Sequence, residues 1–578
     1  MRDSTHNSFP ASARLLPSRF DWIAVVLVVG LLVFLAEASR GLLGTLTVLE
    51  QQPITLDPAQ LPLYAARTTL RMLAALLLSL LFTLTYATWA AKSPRAGRIL
   101  IPVLDLLQSV PILGFISVTV VFFLALLPGR VLGAELAAVF AIFTSQAWNM
   151  AFSFYQSLRT VPVELQEAAR SFGLSPWARF WRLEVPFSLP ALTWNMMMSM
   201  SGGWFFVVAA EAISVGHTTI TLPGMGAYIA TAINAQDLRA VGYAIGTMLG
   251  VILLYDQLLF RPLVGWSDRF RLDQEPGDAR PRSWVLEALT RSRLTTGLYR
   301  RVARLRQSSG PSARPARPAR PSFAGGSAVQ VRRLDRVATA VLAALVLLCA
   351  VKAARFLGPE LTLADVVRVI RYGLLTCLRV FVLIAIASLI WVPVGVAVGL
   401  RPRLARVIQP VAQFLAAFPA NLLFPIAVVA IVRWKLDPDV WLSPLMILGT
   451  QWYILFNVIA GASAIPGEMR HVTRNLGVRG WTWWRRFALP AVFPYYVTGA
   501  LTASGGSWNA SIVAEVASWG DEHVRATGLG AYIAEATAVG DFHRIVLGIG
   551  VMAAFVIGVN RWVWRPLYAR AERRYRMT

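Results

Sequence analysis

One pattern of residues occurs twice in this chain, 304 positions apart, on apolar runs long enough to cross a bilayer. Gly173, Pro186, Pro190, Trp204, Glu211, Gly224, Gly226, Tyr228 and Asp237 recur as Gly477, Pro490, Pro494, Trp508, Glu515, Gly528, Gly530, Tyr532 and Asp541. Arg261-Pro262-Leu263 returns as Arg565-Pro566-Leu567. Upstream the offset is 308: Leu70-Arg71 matches Leu378-Arg379, and Pro111 matches Pro419. Matches in unbroken order over such a distance mean two fused copies of one domain. A membrane chain made of two like halves points to a pathway between them.

The apolar runs 22–38, 73–90, 133–152, 239–260, 336–351, 380–400 and 545–560 hold few charges. A helix needs roughly 20 such residues to span the hydrocarbon layer, and there the backbone must satisfy its own hydrogen bonds, which selects helices. The chain therefore reads as an all-α polytopic membrane protein, and a soluble fold is excluded. Spans are expected near 22–38, 66–91, 99–127, 133–155, 187–214 and 239–262, then 336–356, 372–400, 405–432, 440–462, 491–517 and 542–565. That makes about twelve transmembrane helices. Six per half sends both halves into the membrane from the same side, so the two six-helix repeats are parallel, unlike the inverted repeats of many secondary transporters. The expected divisions are 1–262 for the first repeat, 263–335 for a linker and 336–578 for the second repeat. The first apolar run lacks a small-residue cleavage signal and reads as a retained helix.

A net charge of +25 would suggest nucleic-acid binding in a soluble chain. Its distribution argues for membrane orientation instead. Seventeen arginines lie between 261 and 336, and others cluster at Lys92/Arg95/Arg98, Arg401/Arg403/Arg406 and Arg561 to Arg576. Under the positive-inside rule these mark cytoplasmic faces and put both termini in the cytoplasm. No nucleic-acid partner is expected. Cys349 and Cys377 form no metal or disulfide pattern, the histidines have no ligand spacing, and no metal or cofactor is expected on this chain. Within the linker, 283–307 reads as a short basic surface helix with Trp284, Val285, Leu289 and Leu294 as its apolar members. The Pro/Arg repeat at 311–321 reads as an extended tether.

The most specific local signal is Pro162-Val163-Glu164-Leu165-Gln166-Glu167-Ala168-Ala169-Arg170-Ser171-Phe172-Gly173, followed after nine residues by Leu183-Glu184-Val185-Pro186. Pro162 suits a helix start, Glu164 and Glu167 complement its positive end, and Gly173 suits a left-handed cap. This segment resembles the EAA loop of binding-protein-dependent ABC transporter permeases: EAA, three residues, Gly, nine residues, then I-x-L-P. The resemblance implies a coupling helix that docks on a cytoplasmic ATPase, with Glu167 as a polar anchor and Ala168 and Ala169 allowing close approach. In the second copy Pro466, Glu468, Gly477 and Phe487-x-Leu489-Pro490 stay in register, but His471-Val472-Thr473 replaces the EAA triplet. Docking by the second copy is expected to be kept through different contacts.

Gln108-Ser109-Val110-Pro111-Ile112-Leu113-Gly114-Phe115, Ala209-Ala210-Glu211 and Leu222-Pro223-Gly224-Met225-Gly226-Ala227-Tyr228-Ile229 are similar to the nitrate/sulfonate/taurine/bicarbonate permease group. Tyr255-Asp256-Gln257 with Arg261 fits its closing helix. The resemblance implies a type I ABC importer fold, inner-membrane residence, two cytoplasmic ATPase subunits carrying ATP and Mg, and a periplasmic binding protein. With both halves fused, no second permease chain is expected. The chain cannot be the ATPase. Its only lysines are Lys92, Lys352 and Lys435, and none follows the glycine that a phosphate-cradling loop requires.

Candidate pathway residues follow from the matched positions. Arg71 and Arg379 attract an anion, or else snorkel or pack. Trp204, Trp508, Glu211 and Glu515 lie on the fifth span of each half beside Gly-Gly pairs, which permit close helix approach; the alternative is ordinary packing, with Glu ordering the next loop. Ser201, Asn509 and Ser511 offer neutral hydrogen bonds to a small oxyanion. Phe205-Phe206-Val207 against Asn509-Ala510-Ser511 gives one apolar and one polar wall.

Overall fold

The protein is represented by a computed structural model that describes residues 54–109, 112–215, 218–270, 283–292, 362–520 and 522–575, with a few isolated positions besides. The expected spans at 22–38 and 336–356 lie almost wholly outside the described residues, as does the Pro/Arg repeat. The first repeat runs α1 (Leu61–Phe82, continuing through a π-type turn to Lys92), α2 (Pro94–Ser109), α3 (Ile112–Leu126), α4 (Val131–Arg159) and α5 (Val163–Ser171). It continues through α6 (Val185–Glu211), β1 (Ala212–Val215), β2 (Thr218–Thr221), α7 (Met225–Asn234) and α8 (Leu238–Tyr255). The second repeat follows the same order. Its elements are α9 (Leu363–Gly399), α10 (Pro402–Ala417), α11 (Phe424–Arg433), α12 (Gln451–Ser463), α13 (Gly467–Asn475), α14 (Leu489–Ala514), β3 (Val516–Trp519), β4 (Glu522–Arg525), α15 (Leu529–Val539) and α16 (Phe542–Val559).

Among the described residues, five helical stretches are long and apolar enough to cross a membrane, or up to seven if two bent pairs each count as one span. The 99–127 stretch is helical as α2 and α3 on either side of 110–111, which lie outside the described residues. The expectation of unbroken spans needs correction at two places. The 405–432 stretch bends by 74°, because Pro419 lacks an amide donor and drives Phe418 into extended geometry (ψ 128°). The 440–462 stretch bends by 45° before α12, next to Gly449. The helical class holds, with two short hairpins added to it. Antiparallel hairpins pair Ala212 with Thr221 and Val516 with Arg525. Their β-branched residues, such as Ile213, Val215, Thr219 and Val524, favour strands, and four-residue strands vanish in a window sized for a membrane helix.

Small residues set the helix spacing. In the second repeat α12 packs between α9 and α14. A Cβ on Gly399 of α9 would lie 2.6 Å from the Ala462 Cβ, and one on Gly499 of α14 would lie 2.7 Å from the Tyr453 carbonyl. Without side chains there, the backbones approach closely and gain dispersion contacts, the main source of helix association in lipid. In the first repeat α4 packs on α1 and α3, and its Ala134, Ala137, Ala138 and Ala141 are buried in one cluster with Val120 of α3.

Two compact units are distinguished. One holds Thr160–Trp194 and the described part of Leu253–Ala324; the other holds the remaining described residues. Within the first, the linker helix Trp284–Arg291 packs on the helix Arg261–Ser267. Ser283 caps it, its side chain accepting from the Leu286 amide at 3.3 Å. Val285 and Ala288 are buried and Trp284 is exposed. Of the helix expected over 283–307, Trp284–Arg291 is helical, with Val285 and Ala288 against protein, and 293–307 lie outside the described residues.

Candidate functional site

The segment with the EAA-like pattern folds as expected from its punctuation. Pro162 precedes α5 in extended geometry, and Gly173 takes φ +66°. The Gly173 amide donates to the Arg170 carbonyl and that of Leu174 to the Ala169 carbonyl, closing the helix end. Glu164, Glu167 and Ala168 are exposed, and Ala169 is buried. Val163, Phe172 and Trp177 are also exposed, Phe172 at 82%. The second copy repeats this geometry at α13. Pro466 precedes the helix, Gly477 takes φ +63°, and Glu468 and His471 are exposed beside Val472 and Leu476. One brace is kept by a different residue. Gln166 Nε2 donates to the Val161 carbonyl at 3.0 Å, and Arg470 Nη2 to the Ile465 carbonyl at 2.9 Å.

Arg71 and Glu211 belong to one buried cluster. Arg71 donates in bidentate fashion to Glu135, with both bonds at 2.6 Å, and to Glu211 Oε1 at 2.6 Å. Thr68 Oγ1 donates to Glu211 at 2.7 Å and accepts from the Met225 amide at 2.9 Å; the Gly226 amide donates to the other Glu211 oxygen at 2.7 Å. One guanidinium faces two carboxylates, and the amino end of α7 supplies the remaining positive potential. Gly224 and Gly226 permit this approach. A Cβ on Gly224 would overlap the Glu211 carboxylate, and one on Gly226 the Val208 carbonyl.

The second repeat rebuilds this latch with altered parts. Thr376 donates to Glu515 at 2.8 Å and accepts from the Leu529 amide, and the Ala531 amide donates to Glu515 at 3.0 Å. Arg379 lies 3.3 Å from Glu515 and 2.8 Å from Asp439. Asp439 is 46% exposed, whereas Glu135 in the first latch is 9% exposed. Neither arginine extends toward the interface; each is held by carboxylates. Thr68, Glu135, Thr376 and Asp439 were not singled out from sequence, although Glu135 and Asp439 stand 304 apart and Thr68 and Thr376 stand 308 apart.

The other candidate pathway residues divide into two groups. Trp204, Trp508 and Ser511 are buried within the packing; Trp508 stacks on Phe555 at 6.0 Å, and Ser511 donates to the Trp508 carbonyl. Ser201 and Asn509 lie instead on partly exposed stripes, Ser201-Gly202-Phe205-Phe206 on α6 and Gly505-Gly506-Asn509 on α14. The α6 stripe meets the second repeat: Asn421 Nδ2 donates to the Phe205 carbonyl at 3.3 Å, and a Cβ on Gly202 would lie 3.3 Å from the Tyr453 hydroxyl. Beyond it the repeats clasp reciprocally. β1 packs on α15 and β3 on α7. The Gly520 amide donates to the Ile233 carbonyl at 3.0 Å.

Comparison with known proteins agrees with the internal duplication. The chain is 31% identical over 190 residues to the bicarbonate transport system permease protein CmpB of Synechococcus elongatus, covering 32% of this chain and 65% of that protein. It is 28% identical over 183 residues to the glycine betaine/proline betaine transport system permease protein ProW of Escherichia coli, covering 32% and 47%. It is 26% identical over 171 residues to the nitrate import permease protein NrtB of Leptolyngbya laminosa, covering 30% and 58%. The matched stretch thus spans less than two thirds of each of these relatives. The family model for binding-protein-dependent transport system inner membrane components matches residues 75–261 and again 391–576. With both halves matched, the chain belongs to that family as a duplicated, fused permease.

Proposed function

We propose that this chain is the membrane pathway of an ATP-driven importer in the inner membrane, carrying a small anion or organic acid of the nitrate, sulfonate, taurine or bicarbonate kind. In this reading twelve helices form two parallel halves of a type I importer fold, with both termini cytoplasmic. Two separate cytoplasmic ATPase subunits supply ATP hydrolysis, one docking on α5 through Glu164, Glu167 and Ala168 and the other on α13 through Glu468 and His471. A periplasmic binding protein delivers the cargo to the face where the hairpins clasp. The observation that carries the reading is the presence, in both family-matched halves, of an exposed helix closed by a left-handed glycine at the expected place. The cargo passes along the α6 and α14 stripes, where Ser201 and Asn509 supply neutral hydrogen bonds. The arginines and glutamates of the two latches neutralise one another and hold the loops.

The betaine permease among the relatives favours a second reading, a zwitterionic cargo. One experiment separates the two. The chain is reconstituted in proteoliposomes with candidate ATPase and binding proteins from the same genome, and ATP-dependent uptake of labelled bicarbonate, nitrate, taurine and glycine betaine is compared. Uptake of betaine alone would replace the anion reading, and uptake of any cargo without ATP would refute an importer of this class. Asn509→Ala should slow uptake at saturating cargo; unchanged affinity and rate would remove Asn509 from the pathway.

A further inference from the structure

The two repeats differ most in charge where their last helix ends. Repeat 1 has Asp256-Gln257-Leu258 and repeat 2 has Asn560-Arg561-Trp562 at the matched positions. In repeat 1 the next arginine, Arg261, is bound to Asp256 at 3.0 Å, and the linker helix packs on the turn that follows. In repeat 2 no acid stands in place of Asp256. Six arginines and a single glutamate occupy 561–576, against three arginines and one aspartate over the matched 257–272.

The geometry of α16 places this charge at a membrane surface. Its stretch, Phe542–Ala571, is the least buried of the five candidate spans, with 22% of its apolar window covered by protein. From its cap at Asp541 to Arg561, twenty residues rise about 30 Å, the thickness of the hydrocarbon layer. Arg561 is exposed and makes no ion pair with a described carboxylate. Trp562 is 79% exposed, and its ring lies back along the helix, 3.1 Å from where a Cβ on Gly558 would stand. The indole thus points toward the acyl region while the neighbouring guanidinium is free to turn outward, the division of labour expected of an interfacial anchor. Leu254 stands at the position matched to Gly558 in repeat 1, so no such groove is available there.

We infer that the foot of α16 binds the headgroup of an anionic phospholipid in the cytoplasmic leaflet, Arg561 holding the phosphate and Trp562 packing on the acyl chains. A cluster of this density directly after a membrane helix attracts anionic lipid with about 1 kcal/mol per arginine, or roughly fivefold in binding. The side of the membrane rests on the orientation proposed above; the site itself does not.

The test uses the full chain, purified in mild detergent and exchanged into nanodiscs of phosphatidylcholine with a small fraction of phosphatidylglycerol, without ATPase or cargo. Retained phosphatidylglycerol is counted by native mass spectrometry. Arg561→Gln should lower retention about fivefold, and Trp562→Ala should lower it as well, while Arg261→Gln leaves it unchanged. Size-exclusion profiles check that each variant is folded. Equal retention in Arg561→Gln and the parent would overturn the site, as would a loss caused equally by Arg261→Gln. If Arg561→Gln keeps the lipid but loses co-purifying ATPase, the patch serves a protein partner and the lipid site is refuted. Labelling of Arg561→Cys from outside intact cells, with lipid retention as expected, would overturn the orientation and leave the site standing.

Discussion

Replacing Arg71 and Arg379 one at a time by Gln should show that the two latches are not equivalent. Arg71→Gln removes the guanidinium that pairs with both Glu135 and Glu211, which are 9% and 0% exposed. It leaves two buried carboxylates facing each other, a situation that costs about 3–5 kcal/mol when one partner of a buried pair is removed. Arg379→Gln leaves Asp439 46% exposed and still bonded to the Thr527 amide, and Glu515 still accepting from Thr376 and Ala531. Solvent around Asp439 screens that half of the loss, while Glu515, 1% exposed, loses a partner 3.3 Å away, which together leaves about 1.5–3 kcal/mol. At roughly 2–4 °C per kcal/mol for units of this size, Arg71→Gln should lower the unfolding midpoint by on the order of 10 °C and Arg379→Gln by roughly half as much. The assay is fluorescence-detected size exclusion after heating of detergent-solubilised protein. Adding Glu135→Gln to Arg71→Gln should recover part of the loss by removing one stranded charge, a coupling that a double-mutant cycle reads directly. Equal losses for the two arginines, or no recovery in the double variant, would refute the electrostatic account.

Three other outcomes are expected. If α5 and α13 dock on the ATPase as proposed, Glu167→Lys should reduce ATPase stimulation in the reconstituted transporter more than His471→Lys, since only the first copy has an acid at that position; equal effects would remove that asymmetry. Gly226→Ala and Gly530→Ala should each abolish uptake and lower yield, because the new methyl overlaps the Val208 or Ser511 carbonyl and lifts the short helix off its latch; near-normal uptake would show that the approach is not needed. With Cys349 and Cys377 replaced, Gln236→Cys with Gly520→Cys should crosslink, since a Cβ on Gly520 would meet the Gln236 side chain. Uptake should then stop until a reductant is added, and full activity in the oxidised form would show that the clasp need not open.

The sequence told more about where elements recur than about what their side chains touch. Offsets of 304 and 308 singled out Arg71, Arg379, Glu211 and Glu515, and all four meet in the latches. Their third partners went unnoticed because Glu135 and Asp439 differ in residue type, so an identity match passes over them. Ordinary charge counting could have paired them at the same offset. Pro419 was recognised as a match to Pro111 but read within a continuous span, although a proline is the usual reason for a helix to break. The hairpins were hidden because helix periodicity and membrane length dominate so apolar a chain. Burial also separated residues that sequence grouped together: Ser511 and Asn509 are two positions apart on α14, yet one is sealed in the core and the other faces the stripe.

The π-type turns at Phe180–Glu184 and Trp484–Ala488 stand at matched positions, just before the long helices α6 and α14. Such a turn accommodates one extra residue, so it sets the rotational phase of everything downstream. In the second repeat the extra residue is taken up within Trp484–Ala488, so α14 continues in phase, with Glu515 facing Thr376 and Ala531. Both copies hold this turn at the same place in the chain, between the short exposed helix and the long helix that ends at the latch glutamate.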